Sequence, residues 1–212
     1  MTYTRSEIGV LIFTGAYIVA FSAYFLATGN AEFIVYVVTM LVFLAVFIRA
    51  QPRVRFPVFL LWLLSLWGLA HMAGGGVPVG SGTLYALLVL PLIERGDLVL
   101  LKYDQIVHFY GFGVTAVVMW HVLVTNHVAL AGTRSAYAYA ALASMGLGTV
   151  NEMIEFAAVV VLGDTGVGGY VNNALDLVFN ALGAVTAMAA LAVTGLGRRT
   201  AMTFRKTVRN AG

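Results

Sequence analysis

Cysteine occurs nowhere in the 212 residues, which removes disulfide frameworks, thiolate metal sites, iron–sulfur clusters and cysteine nucleophiles together. Charge is scarce as well: Asp, Glu, Lys and Arg make up 10% of the chain, against 61% apolar and aromatic residues. A water-soluble domain carries about 25% charged and about 45–50% apolar residues, so the composition describes an integral membrane protein. No soluble domain, low-complexity tract or internal repeat interrupts it, and residues 1–212 read as a single membrane domain. The formal charge of +3 reflects cations placed as membrane topology requires, so no nucleic-acid partner is expected.

What the chain does have is long apolar runs. Six stretches, at 8–28, 31–49, 56–73, 103–125, 136–162 and 172–197, approach or exceed the roughly 20 residues a helix needs to cross the hydrocarbon core. A shorter run from Thr83 to Ile93 lies between Gly74-Gly75-Gly76-Val77-Pro78 and Glu94-Arg95-Gly96-Asp97. It reads as a re-entrant or interfacial piece, with a seventh span as the alternative. The expected fold is all-α, a polytopic membrane helical bundle of six transmembrane helices plus that short segment.

Lys and Arg near the ends of spans are retained in the cytoplasm. With six spans, Arg5, Arg49, Arg53, Arg55, Arg134, Arg198, Arg199, Arg205, Lys206 and Arg209 fall on one side, and Arg95 and Lys102 on the other. A seventh span would split these cations evenly. The six-span arrangement therefore predicts a multi-pass protein of the cell membrane with both termini cytoplasmic. The first span is too long for the apolar core of a signal peptide and is expected to be retained. The tail from Arg198 to Gly212 has five cations and no acid, as suits an anchor resting on anionic headgroups.

An ionisable side chain inside a span costs at least a few kcal/mol, so it is expected to face the bundle interior and to pair or bind something. Of nine acids in the chain, Asp104, Glu152, Glu155 and Asp176 fall inside predicted spans. Under the derived orientation these four, with His71, His108 and Asn180, lie in the outer half of the membrane. The spacing places them on common helix faces: Asp104 with His108, Glu152 with Glu155, Asn151 with Glu155, and Asn172, Asp176 and Asn180 in one stripe.

His71, Asp104, His108, Glu155 and Asp176 supply nitrogen and oxygen ligands for a divalent metal ion, which at this depth could polarise a phosphoester or activate water. His108, Glu152, Glu155 and Asp176 are the candidates for acid and base work, and Asn172 and Asn180 for contacts to a substrate. No HExxH motif is present, and the sequence does not decide whether the protein is an enzyme. Three functions stay open: recognition or modification of a lipid or envelope headgroup, proton-coupled transport through the same carboxylates, and a non-catalytic lipid-binding or structural role. In the last, the acids form a packing network with Asp104 partly solvated beside Lys102. Transport would need a path to the cytoplasm, and the inner halves of the spans offer only His121 as a polar step. Membrane lipids are the expected partners; oligomeric state is not legible.

Other features read as structural. His121 and His127 are core or interfacial histidines, and Ser65 and Ser144 lack partners for a nucleophile. Gly163 to Gly169 reads as a turn, lacking the Lys-Ser/Thr of a phosphate loop. Gly111, Gly113, Gly146, Gly148 and Gly183 are expected to let helices approach closely.

Four blocks resemble a known family. They are Leu69-Ala70-His71-Met72-Ala73-Gly74-Gly75, Lys102-Tyr103-Asp104-Gln105-Ile106-Val107-His108-Phe109, Asn151-Glu152-Met153-Ile154-Glu155, and Asn173 to Ala184 with Asp176, Asn180 and Gly183. Together they resemble the YjdF family of bacterial inner-membrane proteins, of unknown function, and the last three resemble the broader VanZ-like membrane proteins. The resemblance covers about residues 60–190. It implies a compact helical membrane fold in which His71, Asp104, His108, Glu152, Glu155, Asp176 and Asn180 matter together, and it supplies no reaction. VanZ-like chains usually carry a Gln after the Glu of the third block, where this chain has Glu152 and Glu155.

Overall fold

A computed structural model describes residues 3–29, 31–96, 98–162 and 169–197. Residues 163–168, expected above to form a turn, and the tail from Arg198 to Gly212 lie outside the described residues. The elements, in order, are α1 (Arg5–Thr28), α2 (Ala31–Val54), α3 (Val58–Gly76), β1 (Pro78–Val79), β2 (Gly82–Thr83), a 3-10 turn at Leu84–Ala86, β3 (Leu88–Arg95), β4 (Leu98–Lys102), α4 (Tyr103–Asn126), a 3-10 turn at Val128–Leu130, α5 (Arg134–Leu162) and α6 (Tyr170–Val193). Among the described residues, six helices are long and apolar enough to cross a membrane. The protein is a polytopic helical bundle.

Several helix ends have a local chemical cause. Thr4 and Glu7 form a capping box at the start of α1: Glu7 N donates to Thr4 Oγ1 at 3.2 Å and Thr4 N to Glu7 Oε2 at 2.6 Å. Pro52, in the last turn of α2, has no N–H to give the carbonyl one turn earlier. The Tyr3 hydroxyl supplies the missing donor to Ile48 O at 2.7 Å. Helix α3 runs through the three glycines to Gly76, beyond the expected end at residue 73. Lack of side chains there is used for packing, because a Cβ on Gly74 would collide with the Tyr85 ring and one on Gly76 with Phe21.

The short apolar run is neither a helix nor a seventh span. It folds as the 3-10 turn and strand β3, which pairs antiparallel with β4 through Ile93–Leu100, Glu94–Val99 and Arg95–Leu98. Val89, Leu90, Leu92 and Ile93 stay exposed on this hairpin, while Tyr85 of the turn is driven into the bundle. β-branched and leucine residues flanking Gly96, at φ 57°, favour a hairpin over a helix too short to span.

Gln105 locks the hairpin to α4. Its side-chain oxygen accepts from Leu101 N at 2.6 Å and Lys102 N at 3.2 Å, and its amide donates to Val99 O at 3.0 Å. This clamp holds Leu101 at φ 75°, a left-handed conformation that costs a non-glycine residue roughly 1–2 kcal/mol. Gln105→Ala leaves these groups unmet, a loss of about 2 kcal/mol. Thermal denaturation in detergent should show a fall of roughly 4–8 °C; an unchanged midpoint would refute the clamp.

Helices α4, α5 and α6 pack around Ala116, Trp120, Ala136, Ala140, Ala184 and Met188. A second cluster joins α1, α2 and α3 to Tyr85, and a third seats α3 against α4 through Leu60, Val114 and Val118. Helices α4 and α6 cross where a Cβ on Gly183 would strike the Phe109 carbonyl and one on Gly113 would lie 3.3 Å from Gly183 O. Large apolar side chains face outward from the bundle, Val161 being 79% and Val193 87% exposed, the pattern of a surface solvated by lipid.

Candidate functional site

The costly side chains of α4, α5 and α6 meet at the end of the bundle that carries the hairpin. Asp104 sits in the first turn of α4 and His108 one turn on, with a 3.4 Å separation between His108 Nε2 and Asp104 Oδ1. Asp104 is buried, which corrects the expectation of a partly solvated group beside Lys102: the hairpin and α6 cover the helix start. Asp176 and Asn180 lie fully within the bundle, and Glu152 and Glu155 are buried on α5.

Three asparagines orient this set. Asn172 donates to Asp176 Oδ2 at 2.6 Å and also reaches Asp104 Oδ2 at 3.0 Å. Asn151 donates to Glu155 Oε1 at 2.9 Å. Asn180 donates to Glu152 Oε1 at 3.0 Å, which leaves its carbonyl oxygen facing His108 Nδ1 at 3.0 Å. An amide oxygen only accepts, so Nδ1 carries a proton and donates. In the neutral imidazole Nε2 then presents a lone pair toward Asp104 Oδ1.

Two acceptors face each other across 3.4 Å, longer than the roughly 2.7–2.9 Å of a charge-assisted hydrogen bond. It does match the edge of a tetrahedral metal site, about 3.3–3.6 Å for ligand bonds of 2.0–2.2 Å. A ring whose Nδ1–H is given to a carbonyl and whose Nε2 is free also has the usual arrangement of a metal-ligating histidine.

Asp104, His108 and Asp176 each offer a ligand atom within 4.8 Å of the others, and so do Glu152, Glu155 and Asp176. Asp176 belongs to both groups. Like charges 4.8 Å apart repel by roughly 3 kcal/mol even at an effective dielectric near 20. Among the described residues, His108 is the basic side chain within 3.4 Å of Asp104 and Glu152, and as a neutral imidazole it offsets none of this repulsion. Two oxygens of the cluster, Asp176 Oδ1 and Glu152 Oε2, are buried with no hydrogen-bond partner among the described residues. Buried polar groups are normally satisfied, and carboxylate oxygens accept protons or cations and donate nothing.

His71 of α3 lies beside this set but outside both donor groups. The Tyr85 hydroxyl is 2.8 Å from His71 O and 2.6 Å from His71 Nδ1. Burial, with the nearby Asp104 carboxylate adding to it, pushes the Tyr85 phenol well above its ordinary range, so it remains a proton donor. With that proton given to the carbonyl, Nδ1–H donates to the phenol oxygen and Nε2 is left as an acceptor. Tyr85 is a site residue that the sequence pattern does not single out; its one signal is a lone aromatic ring inside an apolar run too short to span.

The remaining candidates have local roles. His121 sits 3.2 Å from Val54 O at the opposite end of the bundle, and His127 closes α4 as its C-cap. Ser144 donates to Phe112 O at 2.7 Å, and Ser65 shares a 2.6 Å hydrogen bond with Thr14. Gly111 lies against Trp67 and Gly148 against Asn180, whereas a Cβ on Gly146 meets nothing within 4 Å.

Over residues 9–196 the chain matches the model of a family described as "Predicted membrane protein (DUF2238)". No curated protein and no solved structure matches it.

Proposed function

The chain belongs to this family of predicted membrane proteins, and from that premise we propose that it is a membrane metalloprotein. Its buried cluster binds a divalent cation and presents it to the headgroup of a lipid or envelope component in the outer half of the cell membrane. The observation that carries this reading is the pair of unpartnered buried oxygens, Asp176 Oδ1 and Glu152 Oε2, in a cluster that gathers four carboxyl groups around one imidazole. A cation within the cluster satisfies both oxygens and offsets the repulsion at once.

Asp104, His108 and Asp176 form the first ligand group. Glu152 and Glu155, which meet it at Asp176, complete the coordination or serve as acid and base. Asn172 and Asn180 orient the ligands through the hydrogen bonds described instead of reaching for substrate, the second layer that tunes most metal sites. His71, held by Tyr85, supplies a further base on the α3 side. Nitrogen and oxygen donors without thiolates suit Zn or Mn. Such an ion polarises a phosphoryl oxygen or lowers the pKa of a bound water. Lysine and arginine placement supports a site in the outer half with cytoplasmic termini. Of the four blocks that resemble the YjdF family, the last three, which also resemble the VanZ-like proteins, carry the carboxylates and His108 of the cluster, and we read the chain as a relative of both.

Elemental analysis of the full chain, purified in detergent without chelator, tests the metal. About one divalent ion per chain is expected, falling at least tenfold in His108→Ala while helix content by circular dichroism is retained. Absence of bound metal, together with no rise in thermal midpoint on adding Zn²⁺ or Mn²⁺, would sink the proposal.

A further inference from the structure

From the level of the cluster toward the opposite end of the bundle runs a large void that the cluster does not use. A cavity of about 440 Å³ runs between α1, α2, α3, α4 and α5. Its walls are almost wholly hydrocarbon, with Val10, Leu11, Leu44, Leu64 and Val118 among them. Its polar points are few: Thr14 and Ser65 bond each other, at the far end Gln51 bonds Glu7 and the Phe56 backbone, and the Tyr17 hydroxyl is buried with no hydrogen-bond partner among the described residues. An apolar cavity of this kind stays dry, and one of roughly 150 Å³ accepts a benzene ring. This one has room for about three such rings, the volume of a chain of roughly eighteen carbons.

Its position gives the occupant. Phe43, Val46, Leu147 and Val150, from α2 and α5, line the cavity and are also exposed at the lipid-facing surface, so its mouth opens sideways into hydrocarbon. The wall nearest the cluster is one residue thick. Asn151 lines the cavity and donates to Glu155. Phe112 lines it and stacks on His108 at 6.1 Å between centroids, and Trp67 lines it and lies 6.1 Å from His71.

We infer that this cavity is the berth of one hydrocarbon chain of a membrane lipid whose headgroup lies at the carboxylate–histidine cluster. The substrate class is then a chain-bearing lipid, and a free headgroup or soluble glycan lacks the larger part of the binding surface. The chain enters sideways between α2 and α5 and extends away from the cluster toward Glu7 and Gln51. The inference rests on the headgroup reading above for what happens at the cluster, but the chain's seat is defined by the cavity alone.

The test uses the full chain in vesicles containing a phospholipid whose hexadecanoyl chain carries a photoreactive diazirine near its tip. After irradiation, adducts should map to cavity residues such as Leu11, Leu44 and Leu64, and should fall at least fivefold in Leu64→Trp, which places an indole across the cavity. Leu11→Trp, from the facing wall, repeats the test should the first variant fail to fold. Metal content, unchanged in these variants, reports an intact cluster. Adducts confined to outward positions such as Val19 and Val193, or undiminished by both substitutions in folded protein, overturn the inference. So does flux of protons or water along Thr14, Ser65 and Thr115 with no chain captured. Metal bound without chain capture removes the inference and spares the metal site; chain capture without metal does the reverse.

Discussion

Asp176→Asn should weaken divalent-ion binding at least a hundredfold while leaving the metal-free protein as stable as the wild type or more so. The substitution is close to isosteric, so packing around position 176, which is 0% exposed, is kept. The amide oxygen still accepts from Asn172, whose contact to Asp176 Oδ2 is 2.6 Å. The unpartnered Oδ1 becomes an NH₂ group. That group cannot ligate a cation, and it removes one negative charge from a site where repulsion is unrelieved without metal. Outer partners of metal ligands are worth roughly 10–100-fold in affinity, and Asp176, common to both donor groups, is more central than any of these. Wild-type protein held at about a hundred times its dissociation constant gains roughly 2.7 kcal/mol, which a thermal melt resolves. The variant should show no such gain, with an unliganded midpoint at or above that of the wild type. If metal stabilises both proteins equally, Asp176 is not a ligand.

Gly183→Val should destroy the site from a distance. The α4–α6 crossing permits no side chain at this position, because even a Cβ would overlap the backbone of Phe109. Neither side is a flexible side-chain tip, so the helices themselves must separate. Phe109 follows His108 directly, and Gly183 lies one turn from Asn180, so the separation acts on the His108–Asn180 contact of 3.0 Å. Overpacking of this kind costs typically 1–3 kcal/mol and sometimes more. A low yield of folded protein and metal content below a tenth of wild type are expected, with Gly183→Ala intermediate. Gly146→Ala is the control: its Cβ meets nothing within 4 Å, and alanine is the better helix former by about 1 kcal/mol. Equal damage at both positions would mean that glycine is needed for something other than the crossing.

The six spans were legible because the requirement of a helix long enough to cross hydrocarbon acts on every residue of each run. The convergence of Asp104, His108, Glu152, Glu155, Asp176 and Asn180 was legible for a related reason: the cost of burying charge in lipid restricts such residues to sites where they meet. What escaped was set by packing and by single hydrogen bonds. The run at 83–93 turned by hairpin geometry, and Tyr85 entered the bundle because Gly74 leaves space for its ring. Neither has a periodic pattern. Gln51, buried against Glu7 and Phe56, showed that His121 is not the sole polar group at that end, although a lone glutamine near the end of a span gives no sign of facing inward. The cavity is a property of five helices together, and no local run of sequence encodes a void.

The distribution of the polar groups along the chain bears on biogenesis. Asp104 and His108 reside on α4, Glu152 and Glu155 on α5, and the asparagines that reach them, Asn172 and Asn180, on α6. As translation proceeds, the fourth and fifth helices are therefore finished while Asp104 and Glu152 still lack the amides that hold them, and neither could partition alone into lipid without exposing an ionisable group to it. The insertion machinery must retain them, or pair them at its own wet interior, until the sixth helix is complete. Of the earlier helices, α3 waits only for Tyr85 of the next turn to meet His71, and α1 and α2 supply none of the cluster.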